Sequence, residues 1–495
     1  MNIGIDLGTT NTLACYVNPA GVITKIEFEN GRTENKYLLP SCIAVLPDGN
    51  ITVGQPALDR KSDYPETVLE NTKYYMGQNR TWTVGRTILT AEKTAEYILR
   101  EVHDELKRQF PAEENFHAFV TVPARFDSQI PRLATKEALI KAGFNVSDIN
   151  SITDEPIAAA IAYSSYMANS DIILVVDIGG GTFDLSLISS KITGNSASPD
   201  RLVPIGWGGD LYLGGNTVDK IILNLMCRQI YDETECNLSA EPSDMRYSKQ
   251  QSTASVSLRS YIEPLKKQLY SGEEEAEIYI EELLPDYDFD FTISIKEYEE
   301  AMTDITAKMK SIIEDIYRKN SVMFSQTKKV LVVGGMAHEY CLVKLLEEFF
   351  GKEKILIPDD SMYLVARGAS ICNSNAQIHI DNVAYTSIGI LIKNRTEADV
   401  IIHEGEVIGK DFTVERIYNL VNKNAWELNI TIVEFRGEFN PSGYTTLINS
   451  VIPLKRRLFR KNQELKFSFT FTEDKILKVI TTHPDGSQNP LEVRL

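Results

Sequence analysis

Residues 172–184 read Ile-Ile-Leu-Val-Val-Asp-Ile-Gly-Gly-Gly-Thr-Phe-Asp, a glycine turn between two carboxylates. The residues that carry chemistry here are Asp177, Gly179, Gly180, Gly181, Thr182 and Asp184. Glycines lack a Cβ, so the backbone can approach a ligand closely, and successive N–H groups in such a turn form an anion-binding concavity. Carboxylates cannot hold phosphate themselves, so they indicate a cation between them and the anion. The alternative is an ordinary glycine-rich hairpin.

A second segment far away in the chain repeats this design. Residues 3–12 read Ile-Gly-Ile-Asp-Leu-Gly-Thr-Thr-Asn-Thr. They supply Asp6, Gly8, Thr9, Thr10 and Asn11. Two similar halves, each presenting a phosphate hairpin to a shared cleft, would explain the repeat. No Walker-type Gly-x4-Gly-Lys-Ser/Thr occurs, which argues against a P-loop enzyme.

The order and spacing of the two segments resemble those of the actin-like ATPases. Among these, the chain most closely resembles the 70-kDa heat-shock (DnaK-type) chaperones. The other segments that carry the resemblance are 53–57, 120–136, 154–163, 208–215, 263–271, 334–338, 358–369, 385–390 and 469–479. The resemblance covers nearly the whole chain, and its motifs are more specific before residue 375 than after it.

The resemblance implies roles for residues around the phosphates of ATP. Lys73 would place a positive charge beside the γ-phosphate, although most lysines are solvated surface residues. Glu155, with Asp177 and Thr182, would orient the attacking water; by local pattern alone, a glutamate at a helix start is as often only favourable to the helix dipole. Thr9 and Thr10 would bond phosphate oxygens. The cations implied are Mg²⁺, held mostly through waters by Asp6, Asp177 and Asp184, and K⁺ near Asp6 and Asp184.

The resemblance also implies a nucleoside site. Its residues would be Gly209, Gly214, Gly215, Glu263, Lys266, Gly334, Gly335, His338 and Asp359. Glu263 and Lys266 share a helix face and would hold ribose hydroxyls; the alternative is an exposed, weak ion pair. The chain departs from the family pattern at three places, with Asn216 for Glu, Tyr270 for Ser, and Met336-Ala337-His338 for Ser-x-Arg.

Regular elements must position these residues. The apolar residues before Asp177 predict a strand buried inside a sheet. Ile98, Val102 and Leu106 predict an amphipathic helix over 91–110. Near the C-terminus, alternating apolar residues predict strands of an antiparallel sandwich.

The fold class we expect is an α/β actin-like (ribonuclease H-like), two-lobed ATPase domain over 1–374, a linker over 375–384, and a β-sandwich, peptide-binding-like domain over 385–495. The family continues into a helical lid beyond the position of Leu495, so the resemblance implies a short, lid-less member.

The composition and charge of the chain limit which binding partners and which cellular compartment we expect. The net charge of −18 argues against a broad nucleic-acid or anionic-membrane surface. No apolar run is long enough to span a membrane, and the N-terminus shows no secretion signal. The six cysteines are scattered, which suits a reducing compartment. We therefore expect a cytoplasmic protein.

The function implied by the resemblance is that of an Hsp70-type chaperone, an ATP hydrolase whose slow ATP hydrolysis is coupled to binding and release of unfolded or extended peptides. A J-domain protein and a nucleotide-exchange factor would be further partners. Two alternatives stay open at this point. One is a nucleotide-responsive peptide-binding module with little ATPase activity, and the other is a small-molecule kinase on the same fold.

Overall fold

The computed structural model describes residues 1–124, 128–146, 151–192, 201–242, 244, 246–374, 379–380, 382–392, 395–408, 412–419, 427–453, 464–471, 477–483 and 486–491. The glycine segments and every predicted site residue lie within these ranges. Part of the predicted linker (375–378 and 381) lies outside them. No helix of the described part is long and apolar enough to cross a membrane.

The first half contains one main mixed sheet and two small sheets. Its strands are β1 (Asn2–Leu7), β2 (Asn11–Val17), β3 (Ile23–Lys25), β4 (Leu39–Pro40), β5 (Ile43–Val45), β6 (Ile51–Val53), β7 (Val68–Leu69), β8 (Thr81–Val84), β9 (Thr87–Thr90), β10 (His117–Val122) and β11 (Ile152–Asp154), and its helices are α1 (Gln55–Asp59), α2 (Ala91–Gln109) and α3 (Gln129–Lys141). The main sheet has the order β11-β10-β1-β2-β3, with β4 added beside β2, and the two small sheets are β6-β5-β7 and β8-β9. The predicted amphipathic helix is confirmed as α2, whose apolar face is buried in the core of this half.

The second half repeats this arrangement. Its strands are β12 (Ile172–Ile178), β13 (Phe183–Lys191), β14 (Arg201–Asp210), β15 (Glu275–Leu284), β16 (Tyr287–Ser294), β17 (Thr327–Val333), β18 (Ile355–Leu356) and β19 (His379–Ile380). The helices are α4 (Glu155–Tyr163), α5 (Gly215–Thr234), α6 (Lys249–Ser260), α7 (Ile262–Tyr270), α8 (Ile295–Ala301), α9 (Thr303–Lys319), α10 (Tyr340–Phe350) and α11 (Leu364–Ser374).

The second sheet has the order β18-β17-β12-β13-β14-β19. Strand β12 pairs in parallel with β17 and antiparallel with β13, as β1 pairs with β10 and β2 in the first sheet. The two glycine turns therefore connect equivalent antiparallel strand pairs. The predicted two similar halves are present as two sheets of matching strand order.

Two helices join the halves. Helix α4 follows the first sheet and packs on β12 and β13, whereas α11 follows the second sheet and packs on β1 and β2. Small residues allow the two helices to touch backbone to backbone, because a Cβ on Gly368 would lie 1.7 Å from the Ala158 carbonyl oxygen. Helix α4 begins at Glu155, and Pro156 is its second residue.

The described strands of the C-terminal part are β20 (Asn382–Val383), β21 (Ser387–Ile392), β22 (Glu397–Ile402), β23 (Val407–Ile408), β24 (Thr413–Asn419), β25 (Glu427–Phe435), β26 (Thr445–Pro453), β27 (Glu464–Phe471), β28 (Leu477–Thr482) and β29 (Gln488–Leu491). Eight of them form two four-stranded antiparallel sheets, in the orders β22-β21-β25-β26 and β24-β27-β28-β29. Alternate residues of both sheets fill one apolar core, among them Phe467 and Phe469. The predicted alternation therefore marks the inner faces of a sandwich.

Candidate functional site

The structure brings the two glycine turns into contact. We call residues 8–10 the N-terminal turn and residues 179–182 the central turn. A Cβ on Gly180 would lie 1.9 Å from Thr10 Oγ1, and one on Gly181 would lie 2.7 Å from Thr9 Cγ2. Thr10 Oγ1 is buried and has no hydrogen-bond partner among the described residues. At both positions a side chain larger than that of glycine would displace a threonine of the N-terminal turn, and the Thr10 hydroxyl lies directly against Gly180.

A buried ion pair lies beside the turns. Lys73 Nζ is 2.7 Å from Glu155 Oε1, and the two side chains are only 9% and 7% exposed. Lys73 belongs to a single 3₁₀ turn, Thr72–Tyr75, and Glu155 begins α4. Lys73 is therefore not a solvated surface lysine, and Glu155 does more than favour a helix dipole.

Three aspartates extend this charged cluster. Asp6 lies on β1, and Asp177 and Asp184 face each other across β12 and β13. Burial, and then the neighbouring Glu155 carboxylate, raises the pKa of Asp6 to about 7. Burial, followed by the Glu155 and Asp6 carboxylates, raises the pKa of Asp177 well above its usual range. These shifts reflect buried negative charges at short range, which a bound cation would offset.

A third glycine packs against the same aspartate. Gly334 has a φ of +93°, and a Cβ there would lie 2.7 Å from Asp177 Oδ1 and 2.4 Å from the Ile178 carbonyl oxygen. Both the backbone conformation and the close approach require glycine. The Met336 N–H donates to the Ile178 carbonyl at 3.0 Å, so the segment 334–338 is hydrogen bonded to the residue that precedes the central turn.

The start of α5 also abuts the central turn. The Gly215 N–H donates to the Gly179 carbonyl at 3.0 Å, and the Asn216 N–H donates to the Gly180 carbonyl at 2.6 Å. A Cβ on Gly214 would lie 2.7 Å from the Gly181 carbonyl carbon. Gly209 is paired with Asp184 across β13 and β14.

The predicted ribose residues form a partly buried charge network rather than an exposed pair. Lys266 Nζ lies 2.8 Å from Asp219 Oδ1 and 2.7 Å from Glu263 Oε2, and the Lys266 side chain is 5% exposed. The remaining predicted residues of this region are less enclosed, since Gly335, His338 and Asp359 are exposed. On the other side of the cleft, Asn11 Oδ1 accepts a hydrogen bond from Arg32 Nε at 2.6 Å.

Sequence reasoning missed a bridge between the halves. Asn216 Nδ2 donates to Asn71 Oδ1 at 2.8 Å and to the Tyr74 hydroxyl at 3.2 Å. The Tyr74 and Tyr212 rings lie 5.5 Å apart across the cleft. The sequence held one signal, since Asn216 stands where the resembling family has Glu, but no spacing pointed to its partners.

A second missed contact joins the cluster to the sandwich. Asp154 accepts hydrogen bonds from Arg132 Nη1 and from the Tyr385 hydroxyl, both at 2.6 Å. Tyr385 also lies against Trp207, with ring centroids 4.6 Å apart. Asp154 immediately precedes Glu155. The sandwich is therefore hydrogen bonded, through Tyr385, to the residue next to the buried Lys73–Glu155 ion pair.

Comparison with known proteins adds independent findings. The family model described as Hsp70 protein matches residues 81–448. A chaperone protein DnaK of Methanothermobacter thermautotrophicus is 30% identical over 374 residues, which are 74% of this chain and 59% of that protein. The DnaK proteins of Thermotoga maritima and Ureaplasma parvum are both 29% identical, over 74% and 77% of this chain and 58% and 59% of their own lengths. The chain thus spans about three-fifths of the length of the relatives it matches.

Proposed function

Since this chain belongs to the Hsp70 family, we propose that it is an ATP-dependent chaperone in which slow ATP hydrolysis is coupled to binding and release of extended peptide segments. In this proposal, residues 1–374 form an actin-like two-lobed ATPase domain, 375–384 a linker, and 385–495 a peptide-binding sandwich. A J-domain protein and a nucleotide-exchange factor would act on it. We expect it to work in the cytoplasm.

The observation that carries the proposal is the buried Lys73–Glu155 pair beside two facing glycine turns. Phosphoryl transfer requires positioning and charge neutralisation more than covalent chemistry. The backbone N–H groups of both turns would bind phosphate oxygens, and the unpartnered Thr10 hydroxyl would find an acceptor there. Lys73 would neutralise charge on the γ-phosphate. Glu155 would give up part of its pairing with Lys73 and, together with Thr182, would orient the attacking water.

The donor set fits Mg²⁺. Among the described residues, no three carboxylate, histidine or cysteine side chains converge closely enough to bind a metal directly. Mg²⁺ usually keeps several waters and one or two carboxylates, so Asp6, Asp177 and Asp184 would hold it largely through water. The bound ion would neutralise charge on the phosphates. K⁺ near Asp6 and Asp184 is part of the same proposal.

Coupling to peptide would run through the contacts between the halves and the sandwich. Strand β19, which lies within the proposed linker, adds to the edge of the second sheet beside β14. Ile130 packs against the sandwich core, and the Ser128 hydroxyl donates to Glu434. Changes at Glu155 would reach Tyr385 through the adjacent Asp154. An extended peptide would add along the sandwich, as in strand addition.

Calorimetric titration with MgATP and MgADP tests the nucleotide site. We expect wild type to bind both, and Asp177→Asn to weaken binding because a carboxylate that would hold Mg²⁺ through water is lost. Lys73→Ala should bind ATP but hydrolyse it at least about 100-fold more slowly, since a positioned charge at the transferring phosphate is lost. Asp232→Asn, a substitution at an exposed aspartate of α5, is the matched control.

Turnover assays then separate a chaperone from a kinase. ATPase activity that responds to unfolded peptide and ignores added sugars supports the chaperone assignment. Sugar-dependent ADP production without a peptide effect would refute it.

A further inference from the structure

The first half reaches the central turn through one further side chain, that of Tyr74. A Cβ on Gly181 would overlap the Tyr74 hydroxyl oxygen and would lie 2.8 Å from Thr9 Oγ1. A Cβ on Gly180 would overlap Thr10 Oγ1 in the same way. Three hydroxyl groups of the first half therefore lie against two adjacent glycines of the second half.

The hydroxyl of Tyr74 is a hydrogen-bond donor without an acceptor in the part of the chain that the structure describes. It accepts a bond of 3.2 Å from Asn216 Nδ2 and donates none. Burial raises the pKa of Tyr74 above its usual value, so the phenol keeps its proton near neutral pH. A tyrosine hydroxyl can donate and accept at the same time. An anion bound on the central turn would supply the missing acceptor.

The position of this hydroxyl is fixed by Asn216. The Asn216 backbone N–H donates to the Gly180 carbonyl at 2.6 Å, so the residue is attached to the central turn. Its side-chain amide donates to Asn71 Oδ1 at 2.8 Å as well as to Tyr74. Asn71 precedes the 3₁₀ turn Thr72–Tyr75 and has a left-handed φ of +57°. One side chain thus sets where the 3₁₀ turn lies relative to the central turn.

The same 3₁₀ turn carries Lys73. Lys73 Nζ is directed to Glu155, whereas the next side chain, Tyr74, is directed to Gly181. Thr9 is shared by both, since it packs at Gly181 beside Tyr74 and lines a small cavity together with Lys73. In the proposed function Lys73 faces the γ-phosphate. The Tyr74 hydroxyl would then lie on the γ-phosphate side of the central turn.

From this geometry we infer that Tyr74 is a further substrate-contacting residue, whose hydroxyl donates to an oxygen of the γ-phosphate of ATP, and that Asn216 is the positioning residue that holds it there. The inference rests on the proposed function. A hydrogen bond to an ionised phosphate is about twice as strong as one between neutral groups. ADP has no γ-phosphate and cannot accept this bond, so the contact makes the site prefer ATP to ADP.

Titration calorimetry with MgATP and MgADP measures this preference. Tyr74→Phe removes only the hydroxyl, so MgATP should bind at least about tenfold more weakly, while MgADP should bind within about twofold of wild type. Asn216→Ala should lower the ratio of ATP to ADP affinity in the same direction. It should not lower this ratio further when Tyr74→Phe is already present, because both substitutions act through one hydroxyl.

Tyr75→Phe serves as the control for this experiment. Tyr75 belongs to the same 3₁₀ turn and is half-buried like its neighbour. Its ring packs against two other residues of the first half, with its centroid 5.5 Å from that of Trp82 and 3.9 Å from the Arg80 guanidinium. The control variant should bind both nucleotides as wild type does.

The outcomes are distinct. Unchanged binding of both nucleotides by Tyr74→Phe overturns the contact while leaving the nucleotide site intact. Equal weakening of MgATP and MgADP also overturns it, because Tyr74 would then only hold the two halves together. Failure of wild type and every variant to bind either nucleotide refutes the proposed function together with the inference. Thermal unfolding checks that each variant is folded, and if Tyr74→Phe is not, Asn216→Ala decides by the same comparison.

Discussion

Removing one hydroxyl at the start of the sandwich should weaken the docking of the sandwich on the proposed ATPase domain. Tyr385 is buried, and its hydroxyl donates at 2.6 Å to Asp154, next to Glu155. Tyr385→Phe keeps the ring and its contact with Trp207 but deletes this hydrogen bond. It also leaves Asp154 with Arg132 as a partner, so the charge stays compensated and the fold should persist.

The size of the effect follows from the type of bond. A hydrogen bond to a charged group contributes about 1.5–3 kcal/mol. Since each 1.4 kcal/mol corresponds to a factor of ten, the ratio of docked to undocked sandwich should fall about 10- to 150-fold. In the proposed mechanism this shift should also reduce the stimulation of ATPase activity by peptide.

Trp207 provides an internal reporter, because its ring lies 4.6 Å from that of Tyr385. The chain has three tryptophans, so Trp82→Phe and Trp426→Phe leave Trp207 as the sole emitter. Undocking exposes Trp207 to water, and its emission should move to longer wavelength in Tyr385→Phe. The difference between MgATP and MgADP samples should shrink as well.

The matched control is Tyr279→Phe. The Tyr279 hydroxyl also donates to a carboxylate, Asp288, at 2.9 Å, but this side chain is 57% exposed. The Tyr279→Phe substitution should leave the Trp207 emission and the stimulation of ATPase activity by peptide unchanged. If Tyr385→Phe behaves like Tyr279→Phe in both assays, the route from Glu155 through Asp154 to the sandwich is refuted.

Two further predictions concern the turns and the aspartates. Gly180→Ala should lower the free energy of unfolding by about 1–3 kcal/mol because its Cβ would overlap Thr10; Gly179→Ala, whose Cβ meets no atom within 4 Å, should stay within about 0.5 kcal/mol of wild type in denaturant titrations. The folded pKa of Asp6 is raised to about 7 from 3.8, so the folded state binds more protons between these values and, without Mg²⁺, stability should fall as pH rises through that window. In the presence of a chelator, the melting temperature should therefore rise when the pH is lowered from 8 to 5, and it should rise more steeply in wild type than in Asp6→Asn. An identical slope in the two proteins would contradict the raised pKa of Asp6 in the folded state.

Local pattern was sufficient for much of the architecture. The spacing of Ile98, Val102 and Leu106 predicted α2 because a helix repeats every 3.6 residues. The alternation around Phe467 and Phe469 predicted inner sandwich positions because strand side chains alternate with period 2. The family assignment also came from short motifs, and the comparisons confirm it.

Within the candidate site, the sequence identified residue types but not their pairing. Lys73 and Glu155 were both named, yet the local patterns equally suited a surface lysine and a helix-start glutamate. Their 2.7 Å contact joins residues 82 positions apart. Such a contact depends on how the first sheet, α4 and the 3₁₀ turn pack together, which no local pattern records.

The sequence by itself determined where the backbone must approach its neighbours closely, since glycine permits the contact of Gly180 with the Thr10 side chain and of Gly334 with the Ile178 carbonyl. The sequence also determined which strands are buried, because the pattern of apolar residues along each strand can be read without the fold. Only the tertiary structure decided that Met336 packs beside Lys266 and that the Tyr385 hydroxyl reaches Asp154. Burial and partner choice depend on elements distant in sequence, and a side chain acquires them only when those elements pack.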